Sequence, residues 1–177
     1  MATTNQTHEG RGHDPRSVAN ELLKIGASNN IPISMMKLMK LVYFSHGWCL
    51  GITRQPLCSE SAYAGQYCPI FRSLFYTLPY SGSQLVERQI TDALGRAILP
   101  LNPFTEDQLS IMRRIVDVYG RLGALQLSEI AHERGSPWDS ARKTGGNAPI
   151  SNAELATYFA SKIQKPVNPR AQQGATP

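Results

Sequence analysis

At 177 residues, 41% of them hydrophobic, the chain suits one domain with tails, and no apolar run approaches the ~20 residues of a membrane span. The net charge of +5 is spread out; residues 105–145, for instance, hold six acidic and six basic residues, which is not the stripe that marks a nucleic-acid footprint. Three cysteines, Cys49, Cys58 and Cys68, form an odd set without a CxxC pair, so a disulfide framework is not expected and a reducing cytoplasm is the default.

Residues 1–13 lack apolar anchors and are expected to form a disordered N-terminal tail, with polar residues where a signal peptide would be apolar. The body spans 14–164. Asp14 is an N-cap and Pro15 suits the first helical position; Val18, Leu22 and Ile25 form a stripe that fades at "ASNN". Ser34 caps a second helix, "MMKLMKLVYFSHGWCL", the most apolar segment and the expected central helix. Leu38, Leu41, Val42, Ser45 and Cys49 share one face, and Lys37 and Lys40 lie elsewhere on the wheel.

In "AGQYCPIFRSLFYTL", Pro69 is expected to start a short helix with Ile70, Leu74 and Leu78 inward. A short β-hairpin is allowed around 84–100, where "QLVERQI" and "AILPL" flank the "DALGR" turn, although Pro100 argues for an edge. Thr105 and Gln108 form a capping box ahead of Leu109, Met112, Val116 and Tyr119. A further helix is expected from Leu125 to Arg134. The last follows a Ser151–Glu154 capping box, with Ile150 and Leu155 as a hydrophobic staple. Residues 165–177, rich in Pro, Gln and small residues, are expected to form a disordered C-terminal tail. The sum is a mainly α, compact single-domain bundle of about six helices.

"HERGSPW" (132–138) concentrates turn chemistry. Gly135 falls where a helix ending at Arg134 needs a left-handed residue, Pro137 biases Ser136 toward extended backbone, and Trp138 then emerges from a rigid bend. Gly135, Ser136 and Pro137 form a structural corner that explains the segment without invoking chemistry. His132 and Glu133 point in different directions on a helix and do not converge as a catalytic pair. His46 and Cys49, at i and i+3, are too few ligands for a closed metal site. Cys68 before Pro69 invites a reading as a helix-N-terminal thiolate, but no base accompanies it and a buried thiol is favoured. "GRLGAL" lacks the flanking strand and Lys-Ser/Thr ending of a phosphate loop. A helix-turn-helix reading of Lys37–Lys40 fails because the helix is too apolar to reach base edges.

Together these segments resemble the Panacea domain, an antitoxin domain also described as SocA-like or phage-associated GepA-like. "MMKLMKLVYFSHGWCL" resembles the family's "KLxKLLYFAHGWxL" helix, "AGQYCPIFRSLFYTL" its "AWxYGPVxPxLY" segment, and "IAHERGSPW" its "xTHxxGSPW" segment. "APISNAELATYF" fits the closing helix, so the likeness runs over roughly residues 15–163. Gly65 stands where the family usually has Trp, Cys68 where it has Gly, and Ile70 where it has Val, which puts the backbone and any partner contact at 64–70 in question.

The resemblance implies a non-catalytic domain, with no cofactor or metal, that neutralises a toxin encoded nearby by protein–protein binding. Some SocA-type members also present the toxin to a protease. The expected partner face joins Tyr43, His46, Tyr67, Pro69, His132 and Trp138, aromatic residues being natural hot spots. Each also has core packing as an ordinary role, and His46 and His132 are candidates to bond each other or a carbonyl and tie two helices. No membrane and no specific nucleic acid are expected as partners. The competing readings are a nucleic-acid-binding regulator of a phage or mobile element, and a small enzyme using Cys68 or His132.

Overall fold

The computed structural model describes residues 12–78 and 83–163. Their elements are α1 (Pro15–Ser28), α2 (Met35–Thr53), β1 (Tyr63–Ala64), β2 (Pro69–Ile70), α3 (Arg72–Thr77), α4 (Glu106–Tyr119), α5 (Ala124–Ala131), α6 (Pro137–Thr144) and α7 (Asn152–Ile163). The two strands pair antiparallel, Tyr63 with Ile70 and Ala64 with Pro69. The fold is mainly helical, as expected, and α6 is the helix beyond the six.

The caps work as the sequence implies. The Asp14 carboxylate accepts from the Arg16 backbone N–H, with Pro15 in the first turn. The Ser34 hydroxyl accepts from Lys37 N–H. Both halves of the Thr105–Gln108 box are made, satisfying N–H groups that a helix start leaves bare. Ser151 Oγ accepts from Glu154 N–H at the start of α7, and Ile150 and Leu155 are both buried.

Helix α2 is the axis of the fold, packed by α1, α4, α5, α7 and β2. Its expected face is buried, and so are Met39, Tyr43, Phe44 and His46 on its other sides. Lys40 departs from the expectation of a lysine turned away from the core: it is 0% exposed. The physical reason is enclosure on all sides, which leaves α2 almost no solvent face. Lys40 Nζ donates to the Met36 carbonyl (3.3 Å), and burial pushes its pKa down. Helix α7 lies closest to α2, where Gly47 and Gly51 face Phe159; a Cβ at Gly51 would stand 2.7 Å from Phe159 Cβ and 3.0 Å from Ala160 N.

Residues 83–104 hold only the tip of the expected hairpin. The turn forms, with Asp92 N–H donating to Arg96 O and Ile98 N–H to Ile90 O, but only Thr91 and Ala97 bridge. The preceding residues pair elsewhere: Met35 N–H donates to Gln84 O and Val86 N–H to Ile33 O. Buried Asn20 supplies the rest, its amide donating to Ile90 O (2.9 Å) and Ile98 O (3.0 Å) while its oxygen accepts from Ile90 N–H (2.7 Å). One side chain from α1 thus replaces a sheet ladder, because buried backbone groups must find some partner.

Two more boundaries shift. Pro69 lies in β2, and α3 begins at Arg72, three residues later than expected. At the N-terminus His13 is pinned: its N–H donates to Leu57 O, its carbonyl accepts from Ser59 N–H, and its Nε2 donates to Gln108 (3.1 Å). The remainder of the expected N-terminal tail and all of 165–177 lie outside the described residues. Among the described residues, no helix is long and apolar enough to cross a membrane.

Candidate functional site

The corner at 132–138 is built differently from its sequence reading. Helix α5 ends at Ala131, not Arg134, with His132 at its C-cap. Gly135 takes the left-handed φ of +80° that glycine tolerates. Ser136 then caps a new helix, accepting from Asp139 N–H (3.2 Å) while its own hydroxyl donates to Ala131 O (2.9 Å). Pro137 therefore starts α6 rather than barring a helix, since proline's missing N–H costs nothing in a first turn. Gly135 N–H also donates to the Asp139 carboxylate (2.9 Å); the bond from Lys143 Nζ, and after it this backbone N–H, hold that carboxyl below its usual range.

Trp138 is consequently the second residue of α6. Its ring stacks on His132 at 3.7 Å between centroids and 19° between planes, and its indole N–H donates to Gly65 O (3.1 Å). This bond ties the corner to the β1–β2 turn. It also resolves the departure at Gly65: a Cβ there would stand 2.6 Å from Cys68 O and 3.2 Å from Ile70 Cγ2, so this backbone excludes any side chain. Burial lowers the pKa of His132, and the charges of Lys40 and Arg142 lower it further.

The six residues expected to form one partner face separate into two groups. Tyr43 and His46 are sealed inside α2's packing, and Pro69 is buried in β2, so none of the three reaches the surface. His132 and Trp138 are half-buried, and Tyr67 is 60% exposed. His46 and His132 do not bond each other. Instead Cys58 N–H donates to His46 Nδ1 (3.0 Å), which leaves Nε2 to carry the proton and donate to the Asn152 side-chain oxygen (3.0 Å). The ring also meets Phe71 edge-on at 5.6 Å. His46 thus ties α2 to the loop after it and to α7, and burial drops its pKa to about 4.

These placements bear on the catalytic and metal readings. His46 has both nitrogens committed, and its neighbour Cys49 is buried with its thiol pushed up to about 12. Cys68 sits before a strand rather than a helix N-terminus, is buried, and has its pKa raised by that burial against the weaker opposing effect of Lys40. Among the described residues, no group of three or more His, Cys, Asp or Glu is placed to hold a metal. The enclosure of α2 likewise leaves no exposed recognition helix at 35–50.

What the surface does offer is an apolar groove of about 350 Å³ between the start of α2, the β1–β2 turn and α3. Met35, Met36 and Met39 form one wall; Tyr67, Ile70, Phe75 and Tyr76 form the other, with Gly65 and Cys68 in the turn. Tyr76 is 78% exposed. Methionine adapts its shape to what it touches, and exposed tyrosines bring an apolar body with a polar tip. Of this lining, Tyr67 belongs to the face expected from sequence and Met36 and Tyr76 do not. A signal for Tyr76 is its place after Phe75 on α3, since adjacent helix residues point in different directions.

The enclosed core, the pinned corner and the open groove define a single helical domain with an apolar groove on its surface. The chain belongs to the antitoxin SocA-like, Panacea domain family, whose profile matches residues 38–139. It is 30% identical over 162 residues to the antitoxin SocA of Caulobacter vibrioides (strain NA1000 / CB15N), an alignment covering 90% of this chain and 84% of that protein. No solved structure matches the chain.

Proposed function

We propose that this chain is an antitoxin that neutralises a cognate toxin encoded nearby by direct protein–protein binding, and that the toxin docks on the methionine–tyrosine groove. The observation that carries this reading is the pair of exposed tyrosines, Tyr67 and Tyr76, beside an apolar groove in a chain akin to an antitoxin. Central aromatics rimmed by polar surface are where binding energy concentrates, at 2 kcal/mol or more for a hot spot, or roughly a thirtyfold change in Kd. The adjoining corner contributes by fixing the β1–β2 turn through Trp138.

The test is co-expression with the product of the neighbouring gene. The wild-type chain rescues growth and co-elutes with that product; the double variant Tyr67→Ala/Tyr76→Ala loses both while its melting temperature stays within a few degrees. Full rescue by the double variant would move the interface elsewhere, and absence of any complex with the wild-type chain would remove the antitoxin reading. Presentation of the toxin to a protease is the finer form of the same proposal. It predicts that toxin half-life shortens when the chain is present, whereas simple occlusion leaves the half-life unchanged.

A further inference from the structure

A second groove, of about 290 Å³, lies on another part of the surface. Its accessible lining is aromatic, with half-buried Trp48 from α2, Tyr119 from α4 and Tyr158 from α7 standing over a floor of buried Tyr43, Phe44 and Phe159. Phe44 and Tyr119 stack at 4.7 Å and 13°, and Trp48 meets Phe159 edge-on at 5.3 Å. Trp48 Nε1–H donates to Tyr119 Oη (3.3 Å), fixing the two rings against each other. The rim carries the Glu133 carboxylate, which accepts from Tyr158 Oη and Lys162 Nζ. Rigid aromatic walls of this kind match the ring faces of proline in a polyproline II segment, whose preset backbone loses little entropy on docking.

The sequence supplies such a segment at the right place. Residues 165–170 read Lys-Pro-Val-Asn-Pro-Arg, a PxxP motif flanked by two cations. Lys162, on the last turn of α7, itself lines the groove. From Ile163 to Pro166 is three residues, about 10 Å of extended chain, a tether long enough to bring Pro166 and Pro169 to a groove that Lys162 already lines. We propose that this groove is a polyproline II docking site whose ligand is the chain's own Pro166–Pro169 segment. The proposal stands apart from the antitoxin reading, since it uses neither Tyr67 nor Tyr76.

The short tether sets the energetics. A segment held by a few residues experiences an effective concentration on the order of millimolar, so the docked form dominates if the free segment binds with a Kd of about 0.1 mM. The experiment uses the full chain and its double variant Pro166→Ala/Pro169→Ala, whose changes follow the last residue of α7 in sequence and whose melting temperature should stay within a few degrees of wild type. Nuclear magnetic resonance follows the Trp48 indole N–H and the Tyr158 amide. Both signals should differ between wild type and variant at any protein concentration. A synthetic peptide of residues 163–172, titrated into the variant, should return both signals toward wild type with a Kd no weaker than about 1 mM. Identical signals in the two proteins, or a peptide Kd far above 1 mM, would overturn the proposal. So would a difference that vanishes on dilution, because the occupant would then be a second copy of the chain.

Discussion

Acidification reads out the buried His46 tie directly. An unburied histidine has a pKa of 6.5, whereas His46 in the fold is at about 4. The fold therefore favours the neutral ring, and between those two values the unfolded chain binds the extra proton. Stability is fully present above pH 6.5 and falls as pH drops toward 4. At pH 5 the loss from this one group is about 2 kcal/mol, and it approaches roughly 3 kcal/mol near pH 4. For a domain of this size 2 kcal/mol corresponds to about 4–8 °C in Tm. The structural cause is specific: a second proton on Nδ1 removes the acceptor for Cys58 N–H in a site with no access to water. The assay is thermal unfolding of wild type and His46→Gln at pH 7 and pH 5. Burial also lowers the pKa values of His13 and His132, so they contribute in the same direction to both proteins. The difference between the two slopes isolates His46. Wild type should lose about 2 kcal/mol more than His46→Gln on going to pH 5, and equal losses would refute the assignment of a buried neutral ring.

Three further outcomes follow from the packing. Gly51→Ala should lower stability by about 2 kcal/mol, an over-packing cost of about 3 kcal/mol against α7 less the roughly 1 kcal/mol that alanine adds to a helix; a raised Tm would show that α2 and α7 have slack between them. Asn20→Leu should cost about 3 kcal/mol by denaturant unfolding, because it strips side-chain partners from the backbone of buried Ile90 and half-buried Ile98. Hydrogen exchange in that variant should accelerate across 90–98 before α2 responds. Trp138→Phe keeps the stack on His132 but loses the bond to Gly65 O, so a loss of about 1 kcal/mol is expected by the same method.

Local chemistry in the sequence carried most of the helical frame. Asp14, Ser34 and the Thr105–Gln108 box each satisfy N–H groups within three residues, and such short-range patterns are readable without tertiary knowledge. Helix α6 was not expected, although Ser136, Pro137 and Asp139 are the start signals of a helix, because Pro137 so soon after Gly135 reads first as a stop. Lys40 and Asn20 were not legible. The one is buried because four helices and a strand converge on α2, and the other because its three backbone partners lie about seventy residues away or more. Of the expected partner face, Tyr67 is exposed, whereas the burial of Tyr43, His46 and Pro69 is decided only by the assembled fold. The groove itself depends on contacts between residues 35–39, 65–70 and 75–76, and periodicity within any one segment does not report it.

The methionine–tyrosine groove is stiff at its base and soft at its lip. Met35 and Met39 belong to the innermost helix, whose opening requires the whole domain to come apart. The opposite wall is rooted in the core as well: Phe71 and Leu74 are fully buried, Ala64 N–H donates to Ala148 O, and the Trp138 indole holds Gly65 O. The exposed side chains of Tyr67 and Tyr76 stand at the edge, with half-buried Met36 among the lining. Guests of different girth can then be gripped by rotamer changes of those three side chains alone, without disturbing the centre of the molecule.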